Sequence, residues 1–250
     1  MKNLPLCFVL PAAFLLALPS ISRATSEYDY KPGEFLVVKG GQSPDKKYSI
    51  VSGEKKAGTF GVYLMDAQTR KVIGQLEEVA TDLDTAPDAY VALWSPDSKH
   101  VGISSRSDRH MLENVIYRIE NRRAYLVETP VLLCQAVPDF CKLRKELGGE
   151  SAANEDEDWK IRQNSNASEI MRWTSPTRFV VGEESQFQVR GRDPSSGLGK
   201  YGEVEQEEKE SADAPTLYHV WFEAEGDCEL LPGDKSRVVT IRFVKEKKNK

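Results

Sequence analysis

Apolar residues in this chain fall in short alternating runs divided by polar turns, and the pattern repeats. The stretch GGQSPDKKYSIVSG (40–53) is followed by ALWSPDSKHVGISSR (92–106). A shift of 52 positions lays Ser43, Pro44, Asp45, Lys47 and Ser52 onto Ser95, Pro96, Asp97, Lys99 and Ser104. Each copy runs on into a second apolar stretch (GVYLMD, NVIYRIE), a basic turn (AQTRK, NRR) and a third stretch (VIGQL, AYLVE). A weaker third copy, MRWTSPTRFVVGEES, starts at Met171, with Trp173 and Arg178 in the places of Trp94 and Lys99 and one residue inserted before the proline. Runs rich in Val, Ile, Tyr and Phe suit half-buried strands. Between them proline presets φ, and Ser and Asp side chains close the turn by hydrogen bonding to nearby backbone. Each unit is therefore expected to be a four-stranded antiparallel meander. Such a sheet cannot bury its faces alone and must stack on its neighbours.

The stretch WSPDSKHVGIS resembles the blade motif of TolB-like and WD40-like β-propellers, W-S-P-D-G-K followed by a strand, with Ser98 in the glycine place. QSPDKKYSIVS matches it without the tryptophan. The resemblance covers residues 34 to 130 well and 169 to 190 poorly. It implies an all-β fold of propeller-like blades, and it implies nothing about activity, because propellers host binding modules and enzymes alike. Closed propellers have about four to eight blades, whereas three are visible. A degenerate fourth blade containing TLYHVWFEAEG and SRVVTIRFVKEK, an incomplete propeller, or a β-sandwich of hairpins with shared turn chemistry would each fit.

The first residues, MKNLPLCFVLPAAFLLALPSISRATS, follow the order of a secretory signal peptide: Lys2, an apolar stretch over 4–19, then Ser22 and Ala24 as small residues at the −3 and −1 positions. The stretch falls short of the roughly 20 apolar residues that span a bilayer, and Pro5, Pro11 and Pro19 oppose a spanning helix. Cleavage after Ala24 leaves 226 of the 250 residues and takes the formal charge from −5 to −7. The expected product is an exported, periplasmic or extracellular protein with no transmembrane segment and no electrostatic basis for holding nucleic acid.

Residues 25–250 are expected to form one β-rich domain with insertions at about 131–168 and 192–215. The first contains CQAVPDFCKLRKELGG, the one convincing helical stretch, with Phe140, Leu143 and Leu147 on one face. In an exported chain Cys134 and Cys141 are the expected disulfide, although either could instead reach Cys228. Metal binding is not expected, since CxxC spacing and nearby histidines are missing.

Residues for chemistry are sparse. His100 occupies the place of Tyr48 and Phe179 in the other copies and reads as a strand side chain; His110 lies in a polar loop and His219 within a strand. Asp82, Asp84 and Asp88 have loose calcium-loop spacing but no accompanying glycine and terminal glutamate, which favours a solvated loop. No nucleophile elbow or phosphate loop is present, and no cofactor is expected. Asn166-Ala-Ser168 fits a glycosylation acceptor. Two function classes remain. One is a non-enzymatic protein that binds another protein or a cell-envelope component, with Trp159 and the charged insertions as its surface. The other is a propeller-type hydrolase or lactonase, which requires His110, Asp82, Asp84 and Asp108 to converge.

Overall fold

A computed structural model describes residues 25–56, 58–137, 161–191, 202–207 and 215–243. The predicted leader (1–24), the helical stretch at 140–147, Cys141 and Trp159 lie outside these residues. The described chain is almost entirely β. A first meander comprises β1 (Phe35–Gln42), β2 (Tyr48–Lys56), β3 (Thr59–Asp66) and β4 (Lys71–Gln75). A second comprises β5 (Val91–Trp94), β6 (His100–Asp108), β7 (Met111–Glu120) and β8 (Arg123–Val127). The third contains β9 (Ile161–Ser175), β10 (Arg178–Arg190), the short β11 (Glu203–Gln206), β12 (Leu217–Leu231) and β13 (Lys235–Phe243). Pairing is antiparallel within each unit and parallel between units, giving one open mixed sheet.

The Ser-Pro-Asp turns of the first two units are built alike. Ser43 Oγ donates to Asp45 Oδ1 at 2.8 Å and accepts from the Tyr48 amide at 3.0 Å, while Asp45 Oδ1 accepts from the Lys47 amide at 3.1 Å. Ser95, Asp97, His100 and Lys99 repeat these bonds at 2.7, 2.9 and 3.2 Å. Lys46 and Ser98 occupy equivalent left-handed positions, at φ 60° and 61°. This explains why the blade motif favours glycine there. Ser98 has a compensation: its Oγ accepts the Asp45 amide at 3.0 Å and ties the second turn to the first. The third turn is tighter, with Ser175 opposite Arg178 across only Pro176 and Thr177.

Packing between units follows from strand alternation. One face of the second unit carries Val101, Ile103, Tyr117 and Ile119, and these join Ile50, Val62 and Leu64 of the first unit in a common core. The opposite face supplies Ile116 to a core shared with Ile170, Phe179 and Val181 of the third unit. The middle unit is thus covered on both sides, and Val101 through Arg106 are buried without a break. Tryptophans staple the stack. Trp94 Nε1 donates to the Gly41 carbonyl and Trp173 Nε1 to the Leu93 carbonyl, both at 2.9 Å. Gly41 and Leu93 are themselves related by the 52-residue shift, so both staples link the same two positions of successive units.

Three expectations from composition change. The segments expected to form a fourth blade are β12 and β13, and they complete the third unit: β12 pairs with β10 along Leu217–Glu229. Residues 161–168, expected to close the first insertion, begin the long strand β9 and pair with β10, so side-chain polarity did not prevent pairing. The described helix of the first insertion is α1 (Leu132–Ala136), which begins two residues before the stretch expected to be helical and overlaps its first three residues. Its start is tied down by Glu183, a buried carboxylate on the core face of β10 whose Oε2 accepts the Leu132 and Leu133 amides at 2.6 and 3.3 Å.

Candidate functional site

Met111 and Leu112, at the start of β7, lie parallel to Asn166 and Ala167 of β9, which sets the β6–β7 hairpin beside the third unit. The amide of Asn166 bonds the carbonyl of His110 at 3.0 Å and fixes this arrangement. A cleft of about 490 Å³ opens along the junction. Arg106, Arg109 and His110 line it from the second unit, and Glu169, Glu184, Glu223 and Glu225 from the third.

Register explains the carboxylates. Glu184 of β10 lies between Ala167 and Glu223, and Gly182 lies between Glu169 and Glu225. Residues directly opposite across antiparallel strands share a face, so the four glutamates project to one side with two small residues between them. Like charges set this close are unfavourable unless a counter-charge approaches. Arg242 supplies one, bonding Glu225 at 2.7 Å. The Glu169 carboxyl is pushed above its ordinary range, first by burial and then by the neighbouring Glu184 carboxylate. Arg106 bonds Asp84 at 2.8 and 2.6 Å. By its lining the cleft is an acidic groove, with Arg109 on its second-unit side.

Of the four residues whose convergence would favour hydrolysis, only His110 lines the cleft. Asp84 is buried against Arg106 and accepts the Ser26 amide at 2.7 Å, so the segment read as a solvated acidic loop is anchored to the domain at Asp84. Among the described residues no group of three or more His, Cys, Asp or Glu side chains is placed to hold a metal ion. His100 is the strand residue its position implied, and its ring stacks on Trp173. His219 stacks on Trp221 and bonds Glu207 at 3.0 Å. The Asn166 acceptor motif lies in β9 with the side chain only 3 % exposed and bonded to Ser185, a placement closed to a glycan in the folded protein. Cys228 is a free thiol whose burial pushes it up to about 12, so the pairing through Cys228 falls away. The expected partner of Cys134, Cys141, lies outside the described residues, as does Trp159.

Sequence reasoning passed over the glutamates. The spacing in FEAEG places Glu223 and Glu225 on one face of a strand, but their convergence with Glu169 and Glu184 depends on pairing register, which composition does not encode. Comparison with family models, curated proteins and solved structures returned no match for the chain.

Proposed function

We propose that this is an exported, non-enzymatic binding protein whose three units are propeller-like blades forming a rigid support for the acidic cleft. The observation that carries the reading is the cleft: four same-facing glutamates at the junction of two stapled units, with Arg109 on the second-unit side. A groove of this charge recognises a polar, net-basic segment of another protein or of a cell-envelope component, and electrostatic attraction speeds and orients that encounter. Rigid stacking supports the reading, since a preformed groove loses little conformational freedom on binding. The charged start, apolar run and small-residue site at Ala24 support export. No helix among the described residues is long and apolar enough to cross a membrane.

The test is photo-crosslinking in the native host, with the reactive group placed at Glu184 or, as a control, at the exposed Lys71 of the first unit. A discrete adduct formed from Glu184 and weakened by Glu223→Gln is expected. Equal labelling from both positions, or an adduct indifferent to Glu223, would overturn the cleft as the binding surface. Intact-mass analysis of the native protein checks export, and a full-length mass in the cytoplasm would overturn it.

A further inference from the structure

The first strand after each Ser-Pro turn carries an aromatic ring at its first or second residue, and only in the middle unit is that ring an imidazole. Tyr48, His100 and Phe179 are the equivalent residues. His100 and Phe179 both pack on Trp173, at ring-centroid distances of 6.0 and 5.2 Å, so the tryptophan that staples the third unit to the second is flanked by a histidine from one and a phenylalanine from the other. His100 Nδ1 is buried and meets no hydrogen-bond partner among the described residues. Beside it is a small cavity of about 170 Å³, lined by Arg118 and Val127 of the second unit and by the β12–β13 turn of the third.

We infer that His100 is a pH-sensitive latch, holding the seam between the second and third units closed when neutral and loosening it when protonated. The charges facing it come from its own turn, from β7 and from the β12–β13 turn, while β9 and β10 present the Trp173 and Phe179 rings. Asp97 and Lys99 lie on its own turn, Arg118 on β7, and Asp234 and Lys235 on the β12–β13 turn. Asp234 already holds Arg118, with Arg118 Nη2 donating to Oδ2 at 3.0 Å, so its carboxylate is partly spent. Trp173 and Phe179 offer no acceptor to Nδ1–H, so a new cation there gains no hydrogen bond from the aromatic side of the seam. Burial outweighs the pull of the Asp97 and Asp234 carboxylates and the imidazole resists protonation, with Arg118 and Lys99 adding to the effect.

The sign follows from linkage. A histidine held below its ordinary value of 6.5 in the folded chain contributes stability that is complete above that pH. The contribution is lost as pH falls through the lower folded value. Carboxylates held down in this protein, such as Asp84 and Asp234, titrate below their ordinary 3.8 and do not share that window.

The experiment is native-state hydrogen exchange of the mature protein at pH 7.5 and 5.5, with protection corrected for intrinsic rates. It compares the native chain with His100→Tyr, which installs the residue of the first unit. A severalfold loss of protection in β5 and β9 at the lower pH is expected in the native chain, and none in H100Y. Equal losses in both proteins would overturn the latch, as would full protection of the native chain at pH 5.5. Should H100Y not fold, the His100 ring signals followed by NMR in the native chain give the answer, and a titration midpoint at or above 6.5 overturns the proposal.

Discussion

Trp173 donates its indole N–H to the carbonyl of Leu93, 80 residues earlier in the chain, at 2.9 Å. Trp94 does the same to Gly41 across the preceding seam. Each bond satisfies an indole donor that its aromatic packing removes from water. Trp173→Phe keeps most of the packing and loses the bond, and should cost about 1 kcal/mol. Trp94→Ala, at the more buried ring, should cost about 3 to 5 kcal/mol. Chemical denaturation measures both. Losses well under 1 kcal/mol at both sites would mean that the staples do not hold the stack.

The ion pair between Asp84 and Arg106 gives a second prediction. Both side chains are almost fully buried, at 3 % and 8 % exposure, and breaking a buried pair from one side costs about 3 to 5 kcal/mol. Burial alone would raise the Asp84 carboxyl; the Arg106 guanidinium and the Ser26 amide outweigh it and hold the group below its ordinary 3.8. Its contribution is present above that value and fades as pH falls through the depressed one. Arg106→Met removes the main counterweight, so burial then raises the Asp84 carboxyl. The variant's deficit against the native chain should be large at pH 7 and shrink towards pH 4 as Asp84 takes up a proton. A deficit that does not change with pH would show that Asp84 is hydrated and not dependent on Arg106.

The repeat was legible because turn chemistry is local. Ser, Pro and Asp at fixed offsets specify one turn wherever they occur, and alternation on either side specifies strands. Two units and part of a third could be read that way. Residues 161–168 were expected to close the first insertion because Asn and Ser are poor strand formers by composition, whereas here β10 pairs along them and β7 meets Asn166 and Ala167. That is tertiary context overriding propensity. The acidic cleft was hidden for a related reason: Glu169, Glu184 and Glu223 come from three strands and meet only through register.

Left-handed backbone at Lys46 and Ser98 allows a paired prediction. Such a conformation costs a residue with a Cβ roughly 1 to 2 kcal/mol, and glycine relieves it. Lys46 contributes only its turn amide, bonded to the Ser43 carbonyl, which glycine retains. Lys46→Gly should therefore stabilise the protein by about 0.5 to 1 kcal/mol after the entropy glycine adds to the unfolded chain. Ser98→Gly gains the same relief but loses the Oγ acceptor of the Asp45 amide, a bond of about 1 kcal/mol. It should come out near neutral. Thermal denaturation of the two variants side by side decides it, and a larger gain for Ser98→Gly would show that the bond between turns is dispensable.

Gly102 sits where the second unit meets the third, and its missing side chain makes room for Ile170. A Cβ built on Gly102 would lie 2.0 Å from Ile170 Cδ1 and 3.2 Å from Cγ1. Gly102→Ala therefore forces that side chain to shift within a packed seam, a cost of about 1 to 3 kcal/mol. The offending atom is the one that Ile170→Val removes. Ile170→Val alone leaves a small void and should cost about 0.5 to 1.5 kcal/mol. Combined, the larger residue fills the space the smaller one vacates, so the double variant should be more stable than the sum of the single losses implies, by about 1 kcal/mol or more of coupling. Urea denaturation of the four proteins measures that coupling. Strict additivity would mean that β6 and β9 do not touch at these positions, and the packing of the second unit on the third would have to be redrawn.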